Sequence, residues 1–261
     1  MQLGLSTAAF YGRWETEEAA RRIADLPLDC AEVFLQSDSE ISVEFAQLVK
    51  SNLGRLVCTS IHPLGSGYEN HMAGRPARQM KDAFDHFKRL LDAGETLGAK
   101  TFVYHGRHTP QLSPLAWNLK WNIEAITPMC ELAQQKGMVI GWENVFWCQL
   151  TAPQRVLEAK AALPQVRFTL DIKQAMRAGY DPISYVYAMG DQLCNVHVCD
   201  WHGDGTLCLP GEGVFDFEAL HKALGDVGYM GPVIIEPYLA LIQSDEALLR
   251  SIAFMRNIIK E

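Results

Sequence analysis

Short runs of aliphatic and β-branched residues alternate with longer amphipathic stretches along the whole chain. The runs are only a few residues long and end in polar residues, which is typical of strands buried on both faces of a parallel sheet. The pattern predicts eight strands, over residues 3–7, 31–35, 56–62, 101–105, 139–143, 167–171, 195–199 and 233–236.

The stretches between these strands carry apolar residues at helical spacing. Residues 16–26 show the pattern most clearly, because they open on a threonine and place acidic residues in the first turn. The spacing predicts helices over 16–26, 78–97, 117–136, 153–162, 217–227 and 245–259, and weaker patterns predict two more over 42–52 and 182–189.

Eight strands alternating with eight helices at intervals of roughly 30 residues predict a parallel α/β barrel. A (β/α)8 TIM barrel typically needs about 250 residues, and this chain has 261. The alternative, a doubly wound open sheet, usually has a glycine-rich phosphate turn after its first strand. Residues 6–12 instead read STAAFYG. Since no linker interrupts the chain, we predict one TIM-barrel domain over residues 1–261.

Composition and charge exclude several classes of protein. Hydrophobic residues make up 48% and charged residues 21%, as in ordinary globular proteins. No apolar run approaches the ~20 residues that a membrane-spanning helix needs. The formal net charge is −8, and lysine and arginine form no basic stripe. We therefore expect neither a nucleic acid nor a membrane as partner.

Cysteine usage and the amino terminus indicate the compartment. The seven cysteines are scattered singly without a CxxC pair, unlike those of disulfide scaffolds or thiolate zinc sites. The first residues, MQLGLS, lack the basic and apolar regions of a signal peptide. We expect reduced thiols and a cytoplasmic location.

Six consecutive predicted strands, the third to the eighth, end in an ionisable residue. In a parallel barrel the carboxyl ends of all strands meet at one mouth, and the period-two rule turns these side chains inward. A single residue of this kind is easily explained as an interior polar group, but six in register indicate a functional site. The residues are His62, His105, Glu143, Asp171, His197 and Glu236.

Three of these six residues are carboxylates, and carboxylates buried close together repel one another at a cost of several kcal/mol unless a cation compensates. A divalent metal ion is the simplest remedy. Carboxylates and an imidazole form a hard, oxygen-rich site that suits Mn²⁺, Mg²⁺ or Co²⁺, and also accommodates Zn²⁺. We expect one divalent ion per chain, with Mn²⁺ as the first candidate.

Three motifs in the second half of the chain carry a family resemblance. They read NVHVCD at 195–200, PGEGVFDF at 210–217 and GYMGPVIIEP at 228–237, and shorter matches read VYHG at 103–106, GWEN at 141–144 and LDIK at 170–173. With this order of motifs, the chain resembles the xylose isomerase-like barrel superfamily, whose sugar phosphate isomerase/epimerase group includes ketose 3-epimerases and inosose dehydratase. The resemblance implies four metal ligands, which are Glu143, Asp171, His197 and Glu236.

The chain departs from this family pattern at two positions. Relatives often carry a histidine three residues after the aspartate of the sixth strand, where this chain has Gln174. Ketose epimerases also tend to carry an arginine six residues after the histidine of the seventh strand, where this chain has Gly203. The metal ligands therefore match the family better than the substrate pocket does, and the sugar is left open.

The resemblance implies isomerisation or epimerisation of a ketose, a keto-polyol or a related small sugar. The ion would hold adjacent carbonyl and hydroxyl oxygens and acidify the proton on the carbon between them. Glu143 and Glu236 would act from opposite faces, one removing the proton and the other returning it. The metal, His197 and either Lys173 or Arg107 would hold the enediolate charge.

Further residues near the predicted mouth are candidates for substrate binding, because aromatic faces and polar side chains commonly line sugar pockets. Glu32 alternates with Phe34 and is expected inside the barrel, paired with a histidine or an arginine. The glycine-containing segment 64–75 is either a lid over the mouth or an ordinary surface loop. The substrate-binding candidates are His62, His105, Arg107, Lys173, Gln174, Trp14 and Trp201.

Three other functions are compatible with the same fold. A dehydratase acting on an inosose or keto sugar shares the first proton abstraction and then expels a hydroxyl. A barrel that binds a sugar or a metal without turnover keeps the ligands alone. An apurinic-site endonuclease needs extra metal ligands, where this chain has Gln174, Gly205 and Leu207, and the net charge of −8 opposes binding to phosphates. By family analogy we also expect a homodimer or homotetramer.

Overall fold

Buried aliphatic segments form parallel strands that close on themselves. The computed structural model describes residues 1–65, 67–108 and 117–260, and in this part of the chain eight parallel strands complete a barrel. The last strand pairs with the first, which confirms the predicted (β/α)8 TIM barrel. The barrel strands are β1 (Gln2–Ser6), β2 (Cys30–Leu35), β3 (Val57–Pro63), β4 (Thr101–Tyr104), β5 (Val139–Glu143), β6 (Arg167–Asp171), β7 (Leu193–Val198) and β8 (Pro232–Ile235).

Helices follow the strands and surround the barrel, and side-chain caps define where several of them begin. Ser42, Asp216 and Ser244 each accept a hydrogen bond from a backbone N–H in the first turn of the helix that follows. The helices in the described part of the chain are α1 (Thr16–Ala24), α2 (Val43–Asn52), α3 (Ala77–Leu97), α4 (Leu119–Gln135), α5 (Pro153–Ala162), α6 (Ile172–Arg177), α7 (Pro182–Met189), α8 (Phe217–Asp226) and α9 (Asp245–Ile258).

Two short elements depart from the predicted alternation. The helix α6 follows β6 directly, and a small antiparallel hairpin pairs Asp200–Trp201 with Leu207–Cys208. Neither element is long enough to show a periodicity in the sequence. The strands β4 and β8 each end one residue earlier than predicted, so that His105 and Glu236 lie just beyond them.

The core lies in the layer between the barrel and its helices. Phe87 of α3, for example, packs edge-on against Phe102 of β4, with ring centroids 5.0 Å apart, and both side chains are fully buried. All seven cysteines are free thiols, and six of them are buried. Among the described residues, no helix combines the length and the apolar character that a membrane span requires.

The inside of the barrel is tight beneath the mouth. Gly141 of β5 faces the interior, where an added Cβ atom would lie 2.6 Å from Thr169 Oγ1 and 2.7 Å from Thr101 Cγ2. Both neighbours are β-branched and therefore have little rotamer freedom to move away. Glycine at this position therefore leaves the space that these two threonine side chains occupy.

We expect Gly141→Ala to lower the free energy of unfolding by about 1–3 kcal/mol, because it overpacks this layer. Urea unfolding monitored by circular dichroism measures the change. The matched control is Gly225→Ala in α8, where nothing lies within 4 Å of the added Cβ, and alanine favours a helix over glycine by up to about 1 kcal/mol. Equal stability of the Gly141 variant and the wild type would contradict this account of the interior.

Candidate active site

The carboxyl ends of the strands bring the six predicted residues to one mouth. His62, Glu143, Asp171 and His197 lie on β3, β5, β6 and β7, and His105 and Glu236 directly follow β4 and β8. Potential ligand atoms of the four predicted metal ligands all lie within 4.8 Å of one another, and all four residues are buried. The structure therefore brings the four residues together as predicted, and their role as metal ligands stays a prediction.

The two remaining histidines lie against this group. The Nε2 atoms of His62 and His105 are 2.6 Å apart, so one ring donates a hydrogen bond to the other. His62 Nδ1 lies 3.3 Å from Glu236 Oε1, and His105 Nε2 lies 3.2 Å from Glu143 Oε2. Each histidine thus faces one of the two carboxylates that the sequence predicts as proton-transfer groups.

Lys173 enters the site because α6 begins directly at the end of β6. The Asp171 carboxylate caps this helix by accepting a hydrogen bond from the backbone N–H of Gln174, 2.9 Å away. The turn returns Lys173 to the mouth, with Nζ 2.9 Å from Glu236 Oε2 and 3.2 Å from Asp171 Oδ2. A buried ammonium group therefore bridges two of the predicted metal ligands.

Glu32 on β2 is a fourth buried carboxylate beside the predicted ligands. Its Oε2 accepts hydrogen bonds from Ser60 Oγ at 2.7 Å and from Asn195 Nδ2 at 3.0 Å, and lies 2.8 Å from His197 Nε2. The period of the strand predicts its inward direction. Its partner is set by the closed barrel, in which only β1 and β8 separate β2 from β7, so that the two inward side chains meet in the interior.

Burial and mutual attraction set the charges in this cluster. Burial disfavours a charged His197, but the carboxylates of Glu32 and Glu236 raise its pKa well above the usual value. For His62, Glu236 and Glu32 likewise overcome burial and raise the pKa to about 10. In the metal-free protein both imidazoles are therefore protonated at neutral pH.

The pKa values of two carboxylates shift in the opposite direction to those of the histidines. Burial would raise the pKa of Glu143, but the side chains of His105 and His197 hold it below its usual range. Burial also opposes the charge on Glu236, and Lys173 together with His197 lowers its pKa. Asp171 is different, because burial and the neighbouring carboxylates outweigh Lys173 and raise its pKa to about 6.

The donor atoms of the site fit a divalent metal ion. Within the described part of the chain, Glu143 Oε2, Asp171 Oδ2 and His197 Nδ1 are buried and form no hydrogen bond. Buried polar atoms normally have a hydrogen-bond partner, and these three atoms, which have ion-pair contacts instead, belong to the predicted ligand set. Two carboxylate oxygens and an imidazole nitrogen are ligands that Mn²⁺ and Zn²⁺ both accept.

A cavity of about 290 Å³ opens above the cluster. The predicted substrate-binding residues His62, His105, Lys173 and Gln174 line it. Its remaining walls are the two carboxylates and a set of mostly apolar side chains, namely Glu143, Glu236, Ala8, Tyr11, Phe34, Leu64, Trp147, Pro237 and Tyr238.

Three other predicted substrate-binding residues lie elsewhere in the described structure. Trp14 packs against Phe10 beyond a 3-10 turn at Thr7–Phe10, with ring centroids 4.9 Å apart. Trp201 packs against Phe215 at 4.9 Å.

Arg107 stacks over the Trp121 ring at 5.3 Å. In the part of the chain that the structure describes, the cavity wall therefore includes none of Trp14, Trp201 and Arg107. All three lie at least two residues beyond the end of a barrel strand. At that distance the period of the barrel strand no longer fixes the direction of a side chain.

The motifs NVHVCD at 195–200 and PGEGVFDF at 210–217 have a structural explanation. Both oxygens of Asp200 accept backbone hydrogen bonds, Oδ1 from Trp201 and Phe215 and Oδ2 from Gly211 and Gly213. This single carboxylate therefore organises the loop after β7. A Cβ atom at Gly213 would lie 2.3 Å from Asp200 Oδ1, so only glycine fits there.

The segment 64–75, predicted to be a lid or a surface loop, is attached to the barrel rim. Glu69 lies in a 3-10 turn over Gly67–His71 and is buried. Its Oε2 accepts a hydrogen bond from the backbone N–H of Gly106, 2.9 Å away and next to His105. Of this segment, Leu64 lines the cavity, and Ser66 lies outside the described residues.

Comparison with known proteins places the chain among similar barrels. A model of the xylose isomerase-like TIM barrel family matches residues 20–258. An uncharacterised protein of Mycobacterium leprae is 24% identical over 291 residues, which covers 98% of this chain and 97% of that protein. The fold is similar to a crystal structure of D-psicose 3-epimerase in the presence of D-fructose, with a TM-score of 0.83, 16% identity and full coverage of both chains. It is also similar to a structure of the IolI protein with a bound zinc atom, with a TM-score of 0.77, 16% identity and coverage of 100% and 98%.

Proposed function

We propose a function for this chain on the basis of its family, since it belongs to the xylose isomerase-like TIM barrel family. The proposed function is that of a divalent-metal-dependent isomerase or epimerase of a small ketose or keto-polyol. The observation that carries this proposal is that two carboxylates, Glu143 and Glu236, lie in the wall of one cavity. Their neighbours lower the pKa of each, so that both are ionised at neutral pH. The proposal takes the enzyme to be a cytoplasmic, single-domain barrel that assembles as a dimer or tetramer.

In this proposal Glu143, Asp171, His197 and Glu236 hold the ion, with Mn²⁺ as the first candidate. When bound, the ion polarises a substrate carbonyl and the adjacent hydroxyl, which acidifies the proton on the carbon that bears the hydroxyl. The three buried ligand atoms that form no hydrogen bond among the described residues support this assignment. The zinc atom in the IolI structure, a barrel of similar fold, agrees with it.

Glu143 and Glu236 then divide the proton transfer. They project from β5 and from the end of β8, which are separated by two strands around the barrel. Their carboxylates can therefore approach a bound sugar from different sides. Both are ionised at neutral pH, so that either one can accept the carbon-bound proton and later lose it to solvent, while the other takes a proton from solvent and delivers it to the carbon. His105 lies 3.2 Å from Glu143 and His62 lies 3.3 Å from Glu236, and these contacts hold the two carboxylates in place.

Lys173 and Gln174 complete the set by binding substrate oxygens. The Lys173 ammonium lines the cavity and stabilises negative charge that develops on a substrate oxygen. Gln174 is buried, and its Oε1 forms no hydrogen bond within the described residues, so that it is available to accept one from a sugar hydroxyl. Gln174 stands where relatives often carry a histidine, and we infer that the choice of sugar differs accordingly.

Hydrogen exchange at carbon tests this division of labour. With a panel of ketoses and inososes in D₂O, we expect the wild type to incorporate deuterium at one carbon. Glu143→Gln and Glu236→Gln should each slow the exchange at least about 100-fold, since each removes a proton-transfer group. Nuclear magnetic resonance of the recovered sugar measures the exchange.

Glu218→Gln on the exposed face of α8 is the control and should leave exchange unchanged. Full exchange in both active-site variants would disprove the assignment of the two bases. Exchange accompanied by loss of water from the substrate would instead identify a dehydratase, and tight sugar binding without exchange would identify a binding protein.

The charges of the metal-free site predict how metal binding depends on pH. The His197 pKa lies well above its usual value, so that a proton must leave this imidazole before it can bind a metal. Affinity for Mn²⁺ should therefore rise between pH 6 and pH 8 by about tenfold per unit for each proton released. Isothermal titration calorimetry in buffers of different ionisation enthalpy measures both the affinity and the protons released. An affinity independent of pH would contradict the predicted charge state of His197.

A further inference from the structure

Glu32 is a buried charge to which the proposed reaction assigns no task. Its side chain is fully buried on β2 and, among the described residues, is absent from the cavity wall. Removing a carboxylate from water costs several kcal/mol unless its environment compensates. Its contacts explain why the fold retains it at this position.

Three donors converge on one oxygen of Glu32. Ser60 Oγ, Asn195 Nδ2 and His197 Nε2 lie 2.7, 3.0 and 2.8 Å from Oε2. Asn195 Nδ2 also lies 3.0 Å from His197 Nε2. An amide nitrogen only donates and a carboxylate only accepts. The contact with the carboxylate is therefore a hydrogen bond when Nε2 carries a proton and donates it to Glu32, and the Asn195 amide then donates to Glu32 and not to His197.

The other nitrogen of His197 points towards the metal site. Nδ1 lies 3.5 Å from both Glu143 Oε1 and Glu236 Oε2, and it forms no hydrogen bond within the described part of the chain. An imidazole whose second nitrogen donates to a carboxylate is a common arrangement for a metal ligand. The hydrogen bond fixes both the tautomer and the direction of the ring.

We propose that Glu32 is a positioning residue, which holds His197 with Nε2 protonated and presents Nδ1 to the metal ion. The proposal rests on the proposed function, because it assumes that the cluster binds a divalent ion. It differs from a second possibility in the same residues. Ligand atoms of Glu32, His62, His197 and Glu236 also lie within 4.8 Å of one another, which would make Glu32 a ligand itself.

Metal affinity and nuclear magnetic resonance separate these roles. By calorimetry with Mn²⁺, Glu32→Ala should bind about 10–100-fold more weakly than the wild type, as loss of an outer-shell partner typically does. Glu32→Gln should lie in between, because its amide oxygen still accepts from Nε2 without the negative charge. The matched control is Glu40→Gln, which removes a buried carboxylate that pairs with Thr16 and Gln36 instead, and should bind as the wild type does.

The tautomer provides a readout that altered folding would not mimic. In zinc-loaded protein with ¹⁵N-labelled histidine, the wild type should show His197 protonated at Nε2 and metal-bound at Nδ1. Glu32→Gln should keep this tautomer, and Glu32→Ala should lose it or mix it with the other form.

Metal bound at Nε2 in the wild type, or equal affinity in Glu32→Ala and the wild type, would overturn the positioning role of Glu32 and leave the proposed function unaffected. Weaker metal binding in Glu32→Ala, with His197 still protonated at Nε2 and metal-bound at Nδ1 at saturating metal, would overturn it in favour of a direct ligand. A wild type that binds no Mn²⁺ and no Zn²⁺ would overturn both this role and the proposed function.

Discussion

The compensation of buried negative charge at one mouth of the barrel is the constraint on which the rest of this site depends. Four carboxylates, Glu32, Glu143, Asp171 and Glu236, are removed from water within a few side chains of one another. Each would repel the others strongly in such surroundings. Three histidines and Lys173 surround them, and against the effect of burial the carboxylates raise the pKa values of His62, His197 and Lys173. A bound divalent ion would supply part of the positive charge that the protonated histidines and Lys173 otherwise provide.

The barrel makes such a cluster possible because its strands are rigid and share one direction. Hydrogen-bonded neighbours on both sides hold each strand, so that a side chain at a strand end is fixed in height and direction. Beneath the cluster, Gly141 leaves the space that the side chains of Thr101 and Thr169 occupy. Outside the barrel, the Asp200 carboxylate organises the loop after β7 and keeps that loop attached to the rim.

The sequence predicts the parts of the site that depend on strand period and little beyond them. The eight strands, the barrel and the meeting of Glu143, Asp171, His197 and Glu236 follow from alternation and from the common direction of parallel strands. The same rule turns Glu32 inward, but its pairing with His197 joins residues 165 positions apart, and only the closed barrel brings them together.

Side chains beyond the strand ends show the opposite case. Trp14, Trp201 and Arg107 lie in connecting segments, where turns and local packing decide the direction of each side chain. Lys173 reaches the site through α6, which is six residues long and begins at a cap that Asp171 itself provides. A helix this short shows no apolar periodicity, so the sequence does not predict it.

The most direct test of the account is the number of metal ions bound per chain, measured by elemental mass spectrometry after the protein is stripped, refilled with Mn²⁺ and dialysed. We expect one ion per chain in the wild type and none in His197→Ala or Asp171→Ala. Absence of any ion after refilling would mean that histidines and Lys173 alone balance the carboxylates, and two or three ions would contradict a mononuclear site.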